Sequence, residues 1–355
     1  MLASIWKPSE RQRASQQRAL IYFVCGNPGL IGFYVDFLDA LRNLLDTWDG
    51  QTVYDLYGRN LAGFSDDDHE PFGPDNPPLD IDAQVDAVYG DVASRRTSSG
   101  TPYDFVILMG HSIGAYICVE IFHRHTHTHT HTHTHTPHPS PQTLRLRHGF
   151  LLFPTIACLA RSTAGIRLNY LRSLPTMETY LVRYAKALLW LVPQPGLRWI
   201  LANLMGFSRR TAGLTAEWLK SRDGVFQALH MAKSELDTIM EDTWDDELWE
   251  AASEPVSPSR PSSPCTRSAD APRFFIFYGR EDHWVANHVR DEFIERRRRA
   301  GEKAAVETRI MVDEGDIPHA FCVREDTSWM IARKVHAWVE QIDDATAKAA
   351  LIHAS

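Results

Sequence analysis

Apolar residues recur along the chain in two rhythms. Predominantly apolar runs at 19–26 (ALIYFVCG), 52–58 (TVYDLYG), 103–110 (YDFVILMG), 146–154 (LRHGFLLFP) and 274–279 (FFIFYG) read as strands. Uninterrupted runs such as FVILMG and FFIFYG fit strands covered on both faces of a sheet. Between them lie stretches with apolar residues every three or four positions, at 35–48 (VDFLDALRNLLDTW), 80–95 (DIDAQVDAVYGDVASR) and 115–124 (AYICVEIFHR), which predict amphipathic helices. Strand alternating with helix implies βαβ units, hence an α/β fold with a mostly parallel central sheet and helices on both faces.

Three segments break the rhythm. Residues 126–141 are a Thr-His repeat running into Pro-rich sequence, with no apolar period, and are expected to be a disordered loop insertion. Residues 253–271 (SEPVSPSRPSSPCTRSADA) have the Pro and Ser content of a linker. Residues 156–252 are helical in pattern without clear strands, and are expected to form an inserted helical cap. The apolar middle of this segment, Tyr180 to Phe207, is split by Pro193-Gln194-Pro195-Gly196, and each half falls short of the roughly 20 apolar residues that span a bilayer. Its Trp190, Leu191, Trp199 and Ile200, beside Arg183, Lys186 and Arg198, suit a hairpin lying in a lipid interface; the competing reading is that these apolar residues are simply core. The expected organisation is one domain: a tail at 1–17, a core in two parts at 18–155 and 272–355, and the cap and linker between them.

Composition narrows the function classes. Lys and Arg number 37 against 45 Asp and Glu, a net charge of −8, so no global basic field favours nucleic acid. The five cysteines (Cys25, Cys118, Cys158, Cys265, Cys322) include no C-x-x-C pair, which fits reduced thiols facing the cytosol. The first residues carry charge where a signal peptide needs an apolar core, so secretion is not expected. Of the 17 histidines, seven fall in residues 125–138. Such a tract could take up Zn²⁺ or Ni²⁺ adventitiously, but alternating Thr-His offers no fixed scaffold, and no metal is expected in the mechanism. Neither G-x-G-x-x-G nor G-x-x-x-x-G-K-[ST] occurs, so no cofactor is expected either.

The chemistry concentrates at Gly110-His111-Ser112-Ile113-Gly114, a G-x-S-x-G between a buried strand and a helix, the context a nucleophile elbow requires. A serine needs a base oriented by an acid, and with this elbow both partners follow in the order acid, then histidine. Asp282 follows the strand and turn RFFIFYG, and His319 follows the strand and acidic turn in VETRIMVDEGDIPHAF. Glu281 is the alternative acid, while Asp313 and Asp316 fit the loop of His319 better than the site itself. His283 suits a pocket wall or surface, His111 a local packing or hydrogen-bonding role, and His148 has no obvious partner. An oxyanion hole needs two backbone donors: Ile113 is one candidate, and the turn Cys25-Gly26-Asn27-Pro28-Gly29-Leu30 supplies Gly29 or Leu30 as the other, since Pro28 has no N–H.

Taken together, Gly26-Asn27-Pro28-Gly29 with Phe33-Tyr34 and Phe37-Leu38, the Ser112 pentapeptide, Leu151-Leu152-Phe153-Pro154-Thr155-Ile156, Tyr278-Gly279 with Asp282 and Trp284, and Ile317-Pro318-His319-Ala320-Phe321 resemble the lipid droplet-associated hydrolases. The resemblance implies an α/β-hydrolase fold and serine ester hydrolysis of sterol esters or neutral glycerolipids through an acyl-enzyme, with Ser112, Asp282 and His319 catalytic. It further implies a lipid ester as substrate and a lipid droplet or membrane surface as peripheral partner, the endoplasmic reticulum and cytosol being further locations, with no obligate protein partner. The chain departs from the pattern at the Thr-His and Pro/Ser insertions and at His283, where relatives tend to have proline. Two rivals remain at this level: a droplet-organising protein with little turnover, and an acyltransferase using the same residues.

Overall fold

Seven strands form one sheet in the order β1-β3-β2-β4-β5-β6-β7, with β1 (Ser4–Lys7) antiparallel to β3 (Val53–Arg59) and all other neighbours parallel. The remaining strands are β2 (Arg18–Val24), β4 (Phe105–His111), β5 (Leu146–Leu152), β6 (Phe274–Tyr278) and β7 (Arg309–Val312). The computed structural model describes residues 1–11, 17–130, 144–173, 186–250, 273–302 and 308–354. Every residue of β4 and β6 is buried, as expected for strands covered on both faces.

Alternation along the strands sorts the helices. On β2, Phe23 packs on Phe37 of α1 (Val35–Thr47), while the preceding Tyr22 donates from its hydroxyl to Asp91 of α2 (Ile81–Ser94), so α1 and α2 lie on opposite faces. On β5 the same alternation sets Phe150 against Trp338 of the C-terminal helix at Glu325–Ala354 and turns Gly149 toward Phe122 of α3 (Ile113–Thr130). That C-terminal helix packs along α1. Its Asp343 accepts hydrogen bonds from the Gln51 and Thr52 N–H groups and from the Tyr54 hydroxyl.

The segment between β5 and β6 contains α4 (Thr163–Ser173), a helical run at 186–191, α5 (Gln194–Asn203), α6 (Arg209–Leu219), α7 (Gly224–Thr238) and α8 (Asp246–Glu250). Leu197, Leu201, Ala212 and Ala216 of α5 and α6, with Leu189, Val192 and Phe207 around them, make a small core separate from the main one. The last part of the segment belongs instead to the main core. Trp249 packs between Phe274 of β6 and Phe293 of α9 (Asn287–Gly301), and the Trp244 indole N–H donates to Glu120 of α3. The C-terminal helix, Glu325–Ala354, is then α10.

Two sequence expectations change. Residues 1–17 are not simply a tail, because Ser4–Lys7 pairs with β3 and caps that edge of the sheet. The Thr-His tract does not begin as a loop: α3 continues to Thr130, the His125 ring nitrogen pairs with the Tyr89 hydroxyl, and His127 Nδ1 donates to the His123 carbonyl. A helix already nucleated by a packed face extends at little further cost into residues that would not start one. The rest of the tract, Arg183 and the Pro/Ser stretch lie outside the described residues.

Candidate active site

The chain runs from β2 out to β3 and then returns across β2 to β4, so the turns after β2 and β4 lie side by side at the point where strand order reverses. Val24 is in register with Gly110, which sets Cys25-Gly26 beside His111-Ser112. Ser112 sits at φ +55°, a left-handed conformation that costs a serine on the order of 1–3 kcal/mol. Tight backbone packing holds it there: a Cβ on Gly110 would lie 2.2 Å from the Gly114 carbonyl oxygen, and one on Gly114 2.4 Å from that of Val24. The Ser112 N–H donates to the Leu152 carbonyl of β5 (3.0 Å) and its own carbonyl accepts from the Ala115 N–H (3.0 Å), fixing the turn between β4 and α3. The side chain therefore stands at the N-terminus of α3, where the helix dipole favours developing negative charge.

His319, in the loop after β7, places Nε2 2.9 Å from Ser112 Oγ and Nδ1 2.7 Å from Asp282 Oδ2. Each partner is held by its own loop. Asp282 Oδ1 accepts from the Trp284 N–H (2.8 Å), and Arg290 of α9 donates to the carbonyls of Gly279 and Arg280. Asp313 accepts from the Ile317 N–H (3.0 Å), closing the loop that carries His319. Glu281 is exposed and accepts from Asn287, Asp316 is exposed, and His283 points outward while its carbonyl accepts from the Ala164 N–H of α4. His148 is buried between the rings of Phe105 and Phe275. With Nδ1–H donating to the Asp282 carboxylate, Nε2 faces the Ser112 hydroxyl as an acceptor, the tautomer that can remove its proton.

The turn after β2 corrects one expected oxyanion donor. The Leu30 N–H already donates to the Pro28 carbonyl (2.8 Å), because the chain doubles back there to enter a short 3-10 turn at Ile31–Tyr34. Gly29 packs against Leu61 and Phe64: a Cβ there would come within 2.5 Å of Leu61. It is Gly26 that abuts the elbow, a Cβ on it meeting Ser112 Cβ at 3.1 Å. The next residue, Asn27, precedes Pro28 through a cis peptide bond. Among the described residues, the N–H groups of Asn27, Gly29 and Ile113 meet no acceptor, and of these Asn27 directly follows the glycine that abuts the elbow. Asn27 was legible as the first donor-bearing residue after Gly26, but its side chain invites a turn-forming reading that hides the backbone.

The cap closes over the same turn. Asn27 Nδ2 donates to the Ala228 carbonyl and to Glu235 Oε1 of α7, both at 3.0 Å, and Gln227 exchanges two hydrogen bonds with Leu79. Burial pushes the Glu235 carboxyl up to about 7, the Asn27 hydrogen bond offsetting only part of that. Nothing in the local sequence marks Glu235, which reads as one more acid on a surface helix until α7 is docked.

A family model for the lipid-droplet associated hydrolases matches residues 17–322, a span that runs from β2 to just past His319. The chain belongs to this family. The lipid droplet-associated hydrolase of Mus musculus is 25% identical over 341 residues, covering 93% of this chain and 87% of the relative. That of Rattus norvegicus is 28% identical over 162 residues, 44% of this chain and 43% of the relative. Among solved structures, a laboratory-evolved variant of potato epoxide hydrolase superposes with a TM-score of 0.56 at 14% identity, covering 95% of each chain. DBJA follows at 0.50 and 11%, covering 96% of this chain and 94% of its own. At such identities the solved structures speak for the fold: this hydrolase is of the α/β-hydrolase type.

The outer face of the hydrolase's cap is apolar. Trp190 is 80% exposed, Leu191 69%, Trp199 59% and Ile200 37%, with Leu188, Leu204 and Met205 exposed nearby. Nearby cations among the described residues include Lys186, which donates to the Arg222 carbonyl, Lys220, which donates to the Leu189 carbonyl, and Arg198 beside Gly213. No helix among the described residues is long and apolar enough to cross a membrane. One group there, Asp66, His69 and Asp223, brings possible metal ligand atoms within 4.8 Å. Its carboxylates already accept from Arg222 and from backbone N–H groups, so they serve as a latch between the loop after β3 and α7.

Proposed function

We propose that this hydrolase cleaves carboxylic esters of lipids through a Ser112 acyl-enzyme. The observation that carries the reading is the unbroken hydrogen-bonded line from Ser112 Oγ through His319 to Asp282, at 2.9 and 2.7 Å. Ser112 Oγ attacks the ester carbonyl while its proton passes to His319 Nε2, and the carbonyl oxygen becomes an oxyanion facing the N–H groups of Ile113 and Asn27. The imidazolium, stabilised by Asp282, gives its proton to the departing alcohol. Water, deprotonated in turn by His319, then releases the fatty acid and restores Ser112. The apolar outer face of the cap supports a neutral-lipid substrate and peripheral attachment to a lipid droplet surface, in line with the names of the relatives.

The test is labelling with a fluorophosphonate, together with a panel of sterol and glycerol esters presented with and without droplets. Wild type should label at Ser112, and Ser112→Ala should lose labelling altogether and hydrolysis by roughly 10⁴-fold or more. Folded Ser112→Ala protein that hydrolyses esters at the wild-type rate would remove the mechanism.

A further inference from the structure

His111, one residue before the proposed nucleophile, is buried, and both of its ring nitrogens are engaged. Nε2 lies 2.9 Å from the main-chain carbonyl oxygen of His319, and Nδ1 lies 2.8 Å from the Tyr34 hydroxyl. That hydroxyl in turn lies 3.0 Å from the Gly26 N–H. A carbonyl oxygen can only accept, so Nε2 carries a proton. Burial and the neighbouring His319 ring, 5.0 Å away between centroids, hold the His111 pKa well below the ordinary histidine value, so the ring is neutral and Nδ1 is bare. Tyr34 must then donate to Nδ1, which leaves its oxygen free to accept from Gly26. Every proton in the chain points one way. Cys322 beside Tyr34 could donate to that hydroxyl or accept from it, but the bare Nδ1 at 2.8 Å is the stronger acceptor for its one proton.

The ends of this chain matter. Gly26 precedes Asn27 in the turn that faces Ser112, and the His319 carbonyl belongs to the residue whose side chain contacts Ser112. We propose that Tyr34 and His111 are positioning residues. Their directed chain, Gly26 N–H to Tyr34 O–H to His111 and His111 Nε2–H to the His319 carbonyl, holds the oxyanion turn and the base in register with the nucleophile. The assignment rests on the ester-hydrolase reading for its kinetic consequence, though not for its geometry. A neutral imidazole suits the role, because His319 gains a proton during the reaction and a second cation 5.0 Å away would oppose that.

Tyr34→Phe removes only the hydroxyl and keeps the ring against Phe23, His111 and Phe321. It should lower kcat and the fluorophosphonate labelling rate roughly ten- to hundredfold, with KM unchanged, since one buried donor and one acceptor lose their partner. His111→Gln keeps a donor and an acceptor on one planar group and should stay within about fivefold of wild type, whereas the apolar His111→Leu should fall as Tyr34→Phe does. If packing alone mattered, Leu would do as well as Gln. Tyr34→Phe protein that labels at the wild-type rate, or a Leu variant equal to the Gln variant, would overturn the proposal. Nitrogen-15 NMR of the folded protein gives a readout independent of turnover: His111 should remain the Nε2–H tautomer without titrating between about pH 5.5 and 8. A proton on Nδ1 would refute the chain even in an inactive protein. Absence of any Ser112 labelling in wild type, by contrast, would count against the ester-hydrolase reading alone.

Discussion

At the scale of single residues, the site separates groups whose roles follow from their neighbours in sequence from groups whose roles follow from burial. Ser112, Asp282 and His319 each sit in a short run that advertises a strand end and a turn. Glu235 carries no such mark, yet α7 encloses it against Asn27, and burial raises its folded pKa from 4.5 to about 7. Between those values the folded protein keeps a proton that the unfolded chain has released, so stability should be full below about pH 4.5 and fall as pH rises toward 7. The span corresponds to on the order of 3 kcal/mol at about 1.36 kcal/mol per unit. Glu235→Gln, neutral throughout, should therefore gain on wild type by about that amount between pH 4.5 and 8 in urea titrations. Parallel stability profiles for the two proteins would show that Glu235 ionises freely in the folded state.

At the scale of elements, the elbow was the most legible part because its constraint is local. A left-handed serine between a strand and a helix needs small residues on both sides, and Gly110 and Gly114 are those residues. Gly114→Ala would push a methyl against the Val24 and Cys25 carbonyl oxygens at 2.4 and 2.6 Å. Backbone cannot swing aside as a side chain can, so a loss of about 3 kcal/mol or more is expected, seen as a lower urea midpoint with an unchanged slope. The ends of elements were less legible. Helix α3 runs into the Thr-His tract because packing of residues such as Ile117, Ile121 and Phe122 had already nucleated it. β1 forms because β3 would otherwise present an unpaired edge, which four residues of modest strand character suffice to cover.

At the scale of the whole molecule, the apolar residues of the central segment go to three destinations that its hydropathy could not distinguish. Trp244 and Trp249 serve the main core, Leu197 and Leu201 a small core of the cap, and Trp190 and Trp199 face outward. Exposed tryptophans can be removed without opening a cavity. The double substitution Trp190→Ser and Trp199→Ser should leave thermal stability within about 0.5 kcal/mol while reducing partition onto a neutral-lipid emulsion roughly tenfold or more. Unchanged partition in a flotation assay would take these residues out of the lipid contact.

The sequence by itself determined the parallel sheet, the elbow at Ser112 and the order in which acid and base follow it. The sheet and the elbow depend on periodicity or spacing within about ten residues, which sterics and hydrophobic burial enforce locally. Only the tertiary structure decided which acid reaches His319, that the Leu30 N–H is already bonded while the Asn27 N–H is not, that Glu235 and the Tyr34–His111 chain lie against the site, and which apolar residues of the cap stay outside. Those outcomes turn on which groups are brought together and sealed from water across 208 residues, as when Asn27 meets Glu235 or His111 meets His319. Hydrogen-bond partnership and desolvation are properties of that arrangement and are carried by no single stretch of the chain.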